Sequence, residues 1–153
     1  MNNMVIQELI DRYVSVSFQV HKKAESLIKC QIGNDLTNDQ HYILRYIHQS
    51  GKCTSSELAE AFEVNKSAIT AIINRMVDRG LIQRTRDEND RRVVYLTLTP
   101  EGNELFEEAQ EKIRLLVESI ITQFEETEIK NFINTFEKLA LILINKKKEE
   151  LGD

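Results

Sequence analysis

Few residues in this 153-residue chain could support catalysis. Its three histidines, His21, His41 and His48, fall in the first third without a paired carboxylate, and the chain has neither a glycine-rich phosphate loop nor a Gly-x-Ser-x-Gly turn. No enzyme activity is expected. Residues suited to recognition chemistry are instead concentrated in one stretch, residues 64–80. Ile69, Ile72, Ile73, Met76 and Val77 repeat there at the spacing of one helical face, and Ser67, Thr70, Ala71, Asn74 and Arg75 gather on the other. Small hydroxyl, amide and guanidinium groups suit close approach to a groove lined with base edges. An asparagine amide matches adenine N6 and N7, and a guanidinium matches guanine or a phosphate. Asn65 as N-cap and Gly80 just past the C-cap mark the ends of this helix.

The second concentration follows at once. After Gly80 the apolar period changes to two, so residues 81–86 and 93–98 read as strands joined by a polar tip, residues 87–92. Arg91 and Arg92 on that tip are candidates for insertion into a minor groove, where narrow walls concentrate negative potential. Arg84 and Arg86 alternate along the preceding strand and are expected to meet phosphates or the acids of the tip rather than bases.

Other elements must position these two clusters. Residues 5–29 keep a helical apolar period from Ile6 to Ile28, longer than a small core requires. Gly33 ends that region, and Thr37 opens a helix carrying Tyr42, Ile43, Tyr46 and Ile47. Thr54 and Glu57 form a capping box that opens a third, short helix with Leu58, Ala59 and Phe62 inward. Only residues 63–65 separate it from the recognition stretch, the tight joint of a helix-turn-helix unit. Thr99 as N-cap and Pro100 at the first helical position restart a helix to about residue 123, and a last helix follows from Ile129 to the lysines at 146–148. The terminal helices carry more apolar surface than the central unit can absorb, and a twofold dimer would cover it.

Net charge is −5, which on its face disfavours a nucleic-acid partner, but the charge is segregated. Residues 64–92 hold seven basic side chains against four acidic ones, whereas residues 100–130 hold three against nine. The positive segment contains both recognition clusters. No apolar run approaches the roughly 20 residues that span a bilayer, and no signal-peptide pattern opens the chain, so a cytoplasmic protein without membrane contact is expected. Cys30 and Cys53 are too few for a disulfide framework.

Taken together, three sets of residues resemble the MarR (multiple antibiotic resistance regulator) family of winged helix-turn-helix transcription factors. They are Ser56-Glu57-Leu58-Ala59; the run Lys66-Ser67-Ala68-Ile69-Thr70 with Asn74-Arg75-Met76-Val77-Asp78-Arg79-Gly80-Leu81-Ile82; and Asp87-Glu88-Asn89-Asp90-Arg91-Arg92 followed by Leu98-Thr99-Pro100-Glu101-Gly102. The resemblance implies a mainly α fold with a small β-wing. Its winged helix-turn-helix DNA-binding lobe would occupy residues 36–99, between an N-terminal dimerisation helix (1–35) and C-terminal dimerisation helices (100–153). It also implies a homodimeric regulator, in the commoner mode a repressor, on a pseudo-palindromic double-stranded DNA operator. Asn65, Lys66, Ser67, Ala68, Thr70, Ala71, Asn74 and Arg75 would lie along a major groove, with Arg84, Arg86, Asp90, Arg91 and Arg92 supplied by the wing. Arg92 is the favoured minor-groove residue, and Asp90 the acid that holds its geometry.

The resemblance further implies release by a small aromatic or phenolic effector, in a crevice to which Tyr13, Phe18, His41, Tyr42 and Tyr46 could contribute, although aromatics at helical spacing are commonly core. Peroxide-sensing relatives use a cysteine early in the first helix, where this chain has none. Zinc-responsive relatives draw ligands from places where this chain has Cys30, His41 and Glu107. The histidine-rich segment that completes their site is replaced here by Glu104, Glu107, Glu108 and Glu111. No metal and no cofactor is therefore expected. A metal- or redox-responsive regulator of the same fold, or a winged helix used only for protein contacts, remains the alternative.

Overall fold

The computed structural model describes residues 1–152. Helices α1 (Asn3–Ile32), α2 (Asn38–Ser50), α3 (Ser55–Ala61) and α4 (Lys66–Asp78) come first, then strands β1 (Ile82–Arg86) and β2 (Val94–Leu98), then α5 (Pro100–Ile121) and α6 (Glu126–Leu151). The chain forms two compact units, Met1–Ile113 and Arg114–Asp153.

Within the first unit, side chains close the helix starts. Thr37 and Gln40 exchange bonds as a capping box at α2, and Thr54 and Glu57 do the same at α3. The helix-turn-helix joint is closed by backbone bonds from Val64 N to Ala59 O and from Glu63 N to Glu60 O, with Glu63 at φ +54°. That left-handed conformation costs a non-glycine residue about 1 kcal/mol. The same pair of bonds ends α4, from Leu81 N to Met76 O and Gly80 N to Val77 O, and here glycine supplies the positive φ of 73°.

The core gathers one face of each element. Ile43, Leu44 and Ile47 from α2, Leu58 from α3, Ile69, Ile73 and Met76 from α4, Ile82 and Leu96 from the sheet, and Phe106 from α5 are all buried. Strands β1 and β2 pair antiparallel with Ile82 opposite Leu98, Arg84 opposite Leu96 and Arg86 opposite Val94. Cys53 adds a third strand position by exchanging backbone bonds with Leu96 (3.2 and 2.7 Å). A single buried residue gave too short an apolar pattern to read as a strand.

In contrast, α1 leaves Val5, Leu9, Tyr13, Val16, Phe18 and Val20 exposed, and only Ile32 at its end is buried. The second unit is similar. No residue of α6 is buried, and Phe132, Phe136, Leu141 and Leu143 are exposed. Among the described residues no helix is long and apolar enough to cross a membrane.

His41 is the one polar member of the buried set, 5% exposed, stacked on Phe106 with ring centroids 5.6 Å apart and edge-on to Tyr42. Burial, and then the charge of Arg45, hold its pKa below the ordinary 6.5. The folded state therefore keeps His41 neutral while the unfolded chain still protonates near the ordinary value. Stability falls as pH drops through about 6.5 and levels off below the folded pKa. Urea midpoints measured from about pH 7.5 to 5.5 are expected to fall further for the wild type than for His41→Phe; equal declines would place the titration elsewhere.

Candidate nucleic-acid interface

Helix α4 has its polar face free. Asn65 accepts a bond from Ala68 N at 2.8 Å, so its side chain is spent as the N-cap. Lys66, Ser67, Ala68, Ala71, Asn74 and Arg75 are exposed, while Thr70 is half-buried and its hydroxyl donates back to Lys66 O at 2.7 Å. Thr70 is thereby left with acceptor capacity rather than a free donor. Lys66, Ser67, Asn74 and Arg75 remain the groups with side-chain donors to offer a groove. Asn74 is not a free amide, however, because Arg84 on β1 donates from Nη2 to its Oδ1. The strand arginine expected at phosphates or tip acids reaches the recognition helix instead. Sequence spacing gave no sign of this, because the pair is joined only when the strand folds back beside α4.

At the wing tip Asp87 and Asp90 face inward to the backbone, whereas Glu88 and the arginines are exposed. Asp87 accepts from Asn89 N and Asp90 N (2.8 and 3.0 Å), and Asp90 accepts from Arg92 N (3.0 Å). The Asn89 and then the Asp90 N–H groups hold the Asp87 carboxyl below its ordinary range, with Lys52 and Tyr95 adding to the effect. Arg92 Nε lies 3.2 Å from Asp90 Oδ1, so the expected acid–arginine pair is present. Side-chain exposures of 92% for Arg92 and 45% for Asp90 decide their roles: the arginine is displayed, and the aspartate supports it. Arg86 and Arg91 are also exposed. No ion pair among the described residues engages the side chains of Lys66, Arg75, Arg86 or Arg91.

Arg79, by contrast, is an anchor. It donates to Gln40 Oε1 (3.2 Å) and to the Asp35 carbonyl (2.5 Å), tying the end of α4 to the loop between α1 and α2. A second anchor joins the same end of α4 to α5. Thr99 N donates to Leu81 O (3.1 Å), Thr99 Oγ1 donates to Gly80 O, and the same oxygen caps α5 by accepting from Gly102 N (3.0 Å).

The sensor candidates separate. Among the described residues no three His, Cys, Asp or Glu side chains come together to hold a metal, and Cys30, His41 and Glu107 are not assembled. Glu107 accepts instead from Asn103 Nδ2 at 3.0 Å. Burial, and then the Glu57 charge, push the Cys53 thiol up to about 11, which keeps it protonated. Cys30 is exposed and free. Tyr46 packs edge-on to Phe62 and His41 lies in the core, while Tyr13, Phe18 and Tyr42 are exposed.

A helix-turn-helix flanked by a basic hairpin is the frame of a winged-helix DNA-binding regulator, not of an enzyme. A family model described as the MarR family matches residues 36–94. The homoprotocatechuate degradative operon repressor of Escherichia coli is 30% identical over 121 residues, spanning 78% of this chain and 81% of that protein. The HTH-type transcriptional repressor MdtR of Bacillus subtilis is 29% identical over 134 residues, 88% of this chain and 86% of its own. A mutant MarR from Escherichia coli, solved in complex with operator DNA, shares the fold with a TM-score of 0.73 at 23% identity, over 85% of this chain and 94% of that one. The chain belongs to the MarR family and is a transcriptional regulator with a DNA-binding fold.

The Thr99 anchor leaves no room for a side chain at Gly102. A methyl group there would overlap the Leu81 carbonyl, whose carbon would stand 2.8 Å away. Gly102→Ala is expected to cost about 2 kcal/mol through forced backbone displacement. Thermal unfolding followed by circular dichroism checks this, and an unchanged midpoint would contradict the close approach.

Proposed function

We propose that the protein is a homodimeric repressor that occupies a pseudo-palindromic operator in the cytoplasm and is released from it by a small-molecule effector. One observation carries this reading: the exposed polar face of α4 and the outward arginines of the wing are cations and small polar groups on one lobe. Helix α4 enters a major groove by its N-terminal half, where Lys66, Ser67 and Ala68 bring backbone N–H groups toward phosphate. Arg92, steadied by Asp90, enters the adjoining minor groove, with Arg91 and Arg86 along the phosphates. Asn65 and Thr70 shape the helix rather than read bases. The dimer follows from the apolar faces that α1 and α6 leave in water, larger than a soluble monomer ordinarily exposes. Such a dimer carries two recognition helices, which matches a twofold operator. An effector acts by binding more tightly to the arrangement of helices that does not fit DNA.

Gel-shift titration against the DNA upstream of its own gene tests the reading. Affinity is expected to fall about a thousandfold or more between about 50 and 200 mM salt, and indifference to salt would overturn it. Arg92→Ala is expected to weaken binding by about tenfold or more with the dimer intact. Sedimentation equilibrium should return twice the 17.8 kDa chain mass, and a monomer at micromolar concentration would overturn the dimer.

A further inference from the structure

The bond between Arg84 and Asn74 crosses from the wing strand to the recognition helix, and it fixes more than position. A guanidinium has N–H donors and no acceptor, so the amide must turn its oxygen toward Arg84 and its nitrogen away. The donor is itself well anchored. Arg84 stands opposite the buried Leu96 in the strand ladder, and Leu96 is held on its other edge by the Cys53 backbone.

Recognition of adenine asks an asparagine amide to accept from N6 and donate to N7 together. An oxygen already engaged by a cation has one lone pair left and is a weaker acceptor for N6, while both N–H donors of the amide are turned away from Arg84. Guanine presents acceptors only along its major-groove edge, O6 and N7. We propose that Arg84 is a positioning residue that biases Asn74 toward donating to guanine O6 and N7, in place of the adenine a free asparagine would select. The inference rests on the DNA-binding reading above and names the base that this one side chain prefers.

The test is selection by the full-length protein from a library of duplexes randomised across the operator half-site, with the bound fraction sequenced. The wild type is expected to enrich G·C at one position of each half-site, and Asn74→Ala to flatten that position by about tenfold while leaving the others. Arg84→Ala frees the amide, so the same position should turn toward A·T; Arg84→Lys, which keeps a donor for Oδ1, should retain guanine. The double variant should match Asn74→Ala there, because the arginine acts through the asparagine.

Enrichment of adenine by the wild type at that position would overturn the proposal, as would an Asn74→Ala variant that flattens nothing. So would an Arg84→Ala variant that weakens every sequence alike and makes the salt dependence shallower by about one counterion, the behaviour of a phosphate contact. A protein that binds with steep salt dependence but fails on guanine loses this inference alone. One that enriches no sequence and ignores salt loses the DNA reading and the inference together.

Discussion

Two consecutive carbonyl oxygens, those of Gly80 and Leu81, are where the recognition helix, the wing and α5 are joined. Gly80 turns the chain out of α4 with a positive φ, and Leu81 is buried one residue before β1 begins. Thr99 then bonds both oxygens from the far end of the hairpin and caps α5 with the same hydroxyl. Gly102 completes the joint by having no side chain, so the first turn of α5 can lie against the Leu81 backbone. The run from Leu98 to Gly102 is therefore a structural clasp. Its position fixes where β2 ends and α5 starts relative to the C-terminus of α4.

With that joint made, the division of charge becomes intelligible. Two of the three carboxylates at the wing tip are occupied by backbone N–H groups. Asp87 and Asp90 face the backbone N–H groups of the hairpin tip, which lets a tip with three acids still present its arginines. Two cations are likewise committed internally, Arg79 to the loop before α2 and Arg84 to Asn74, and neither is simply a charge for phosphate. Among the described residues Lys66, Arg75, Arg86 and Arg91 remain outside any ion pair, with Arg92 displayed by its aspartate. Long-range attraction depends on this local excess rather than on the sum over the chain.

Local signals in the sequence proved sufficient for the starts of α2, α3 and α4 and for the glycine turns that end α1 and α4, although the Asn2 cap of α1 was not read. Asn65, Thr54 with Glu57, Gly33 and Gly80 each act within a few residues of themselves, so their chemistry is visible in a short window. Boundaries shifted at α1, which runs from Asn3 to Ile32 with the Asn2 side chain capping its start, and at α5, which stops at Ile121. The polar face of α4 was legible from its period, but its state was not. Periodicity placed Thr70 and Asn74 on the polar side without showing that one hydroxyl is turned back to Lys66 and one amide is held by a strand ten residues on. The bridge from Cys53 to Leu96 carries no local signal, because the two residues are distant in sequence.

The anchors of α4 also constrain how any signal reaches DNA. At its C-terminal end the helix is bonded to the loop between α1 and α2 through Arg79, and its last turn is clasped to α5 through Gly80 and Leu81. At its N-terminal end the bonds are local, the Asn65 cap and the helix-turn-helix joint at Glu63. A shift of α1 or α5 would therefore act on the C-terminal end first. Because a helix of 13 residues moves as a rigid rod, a displacement there is carried to Lys66 and Ser67, the residues proposed to meet phosphate. An effector need not touch the DNA-facing residues: any ligand that binds differently to two positions of α1 or α5 changes the separation of the two recognition helices in a dimer.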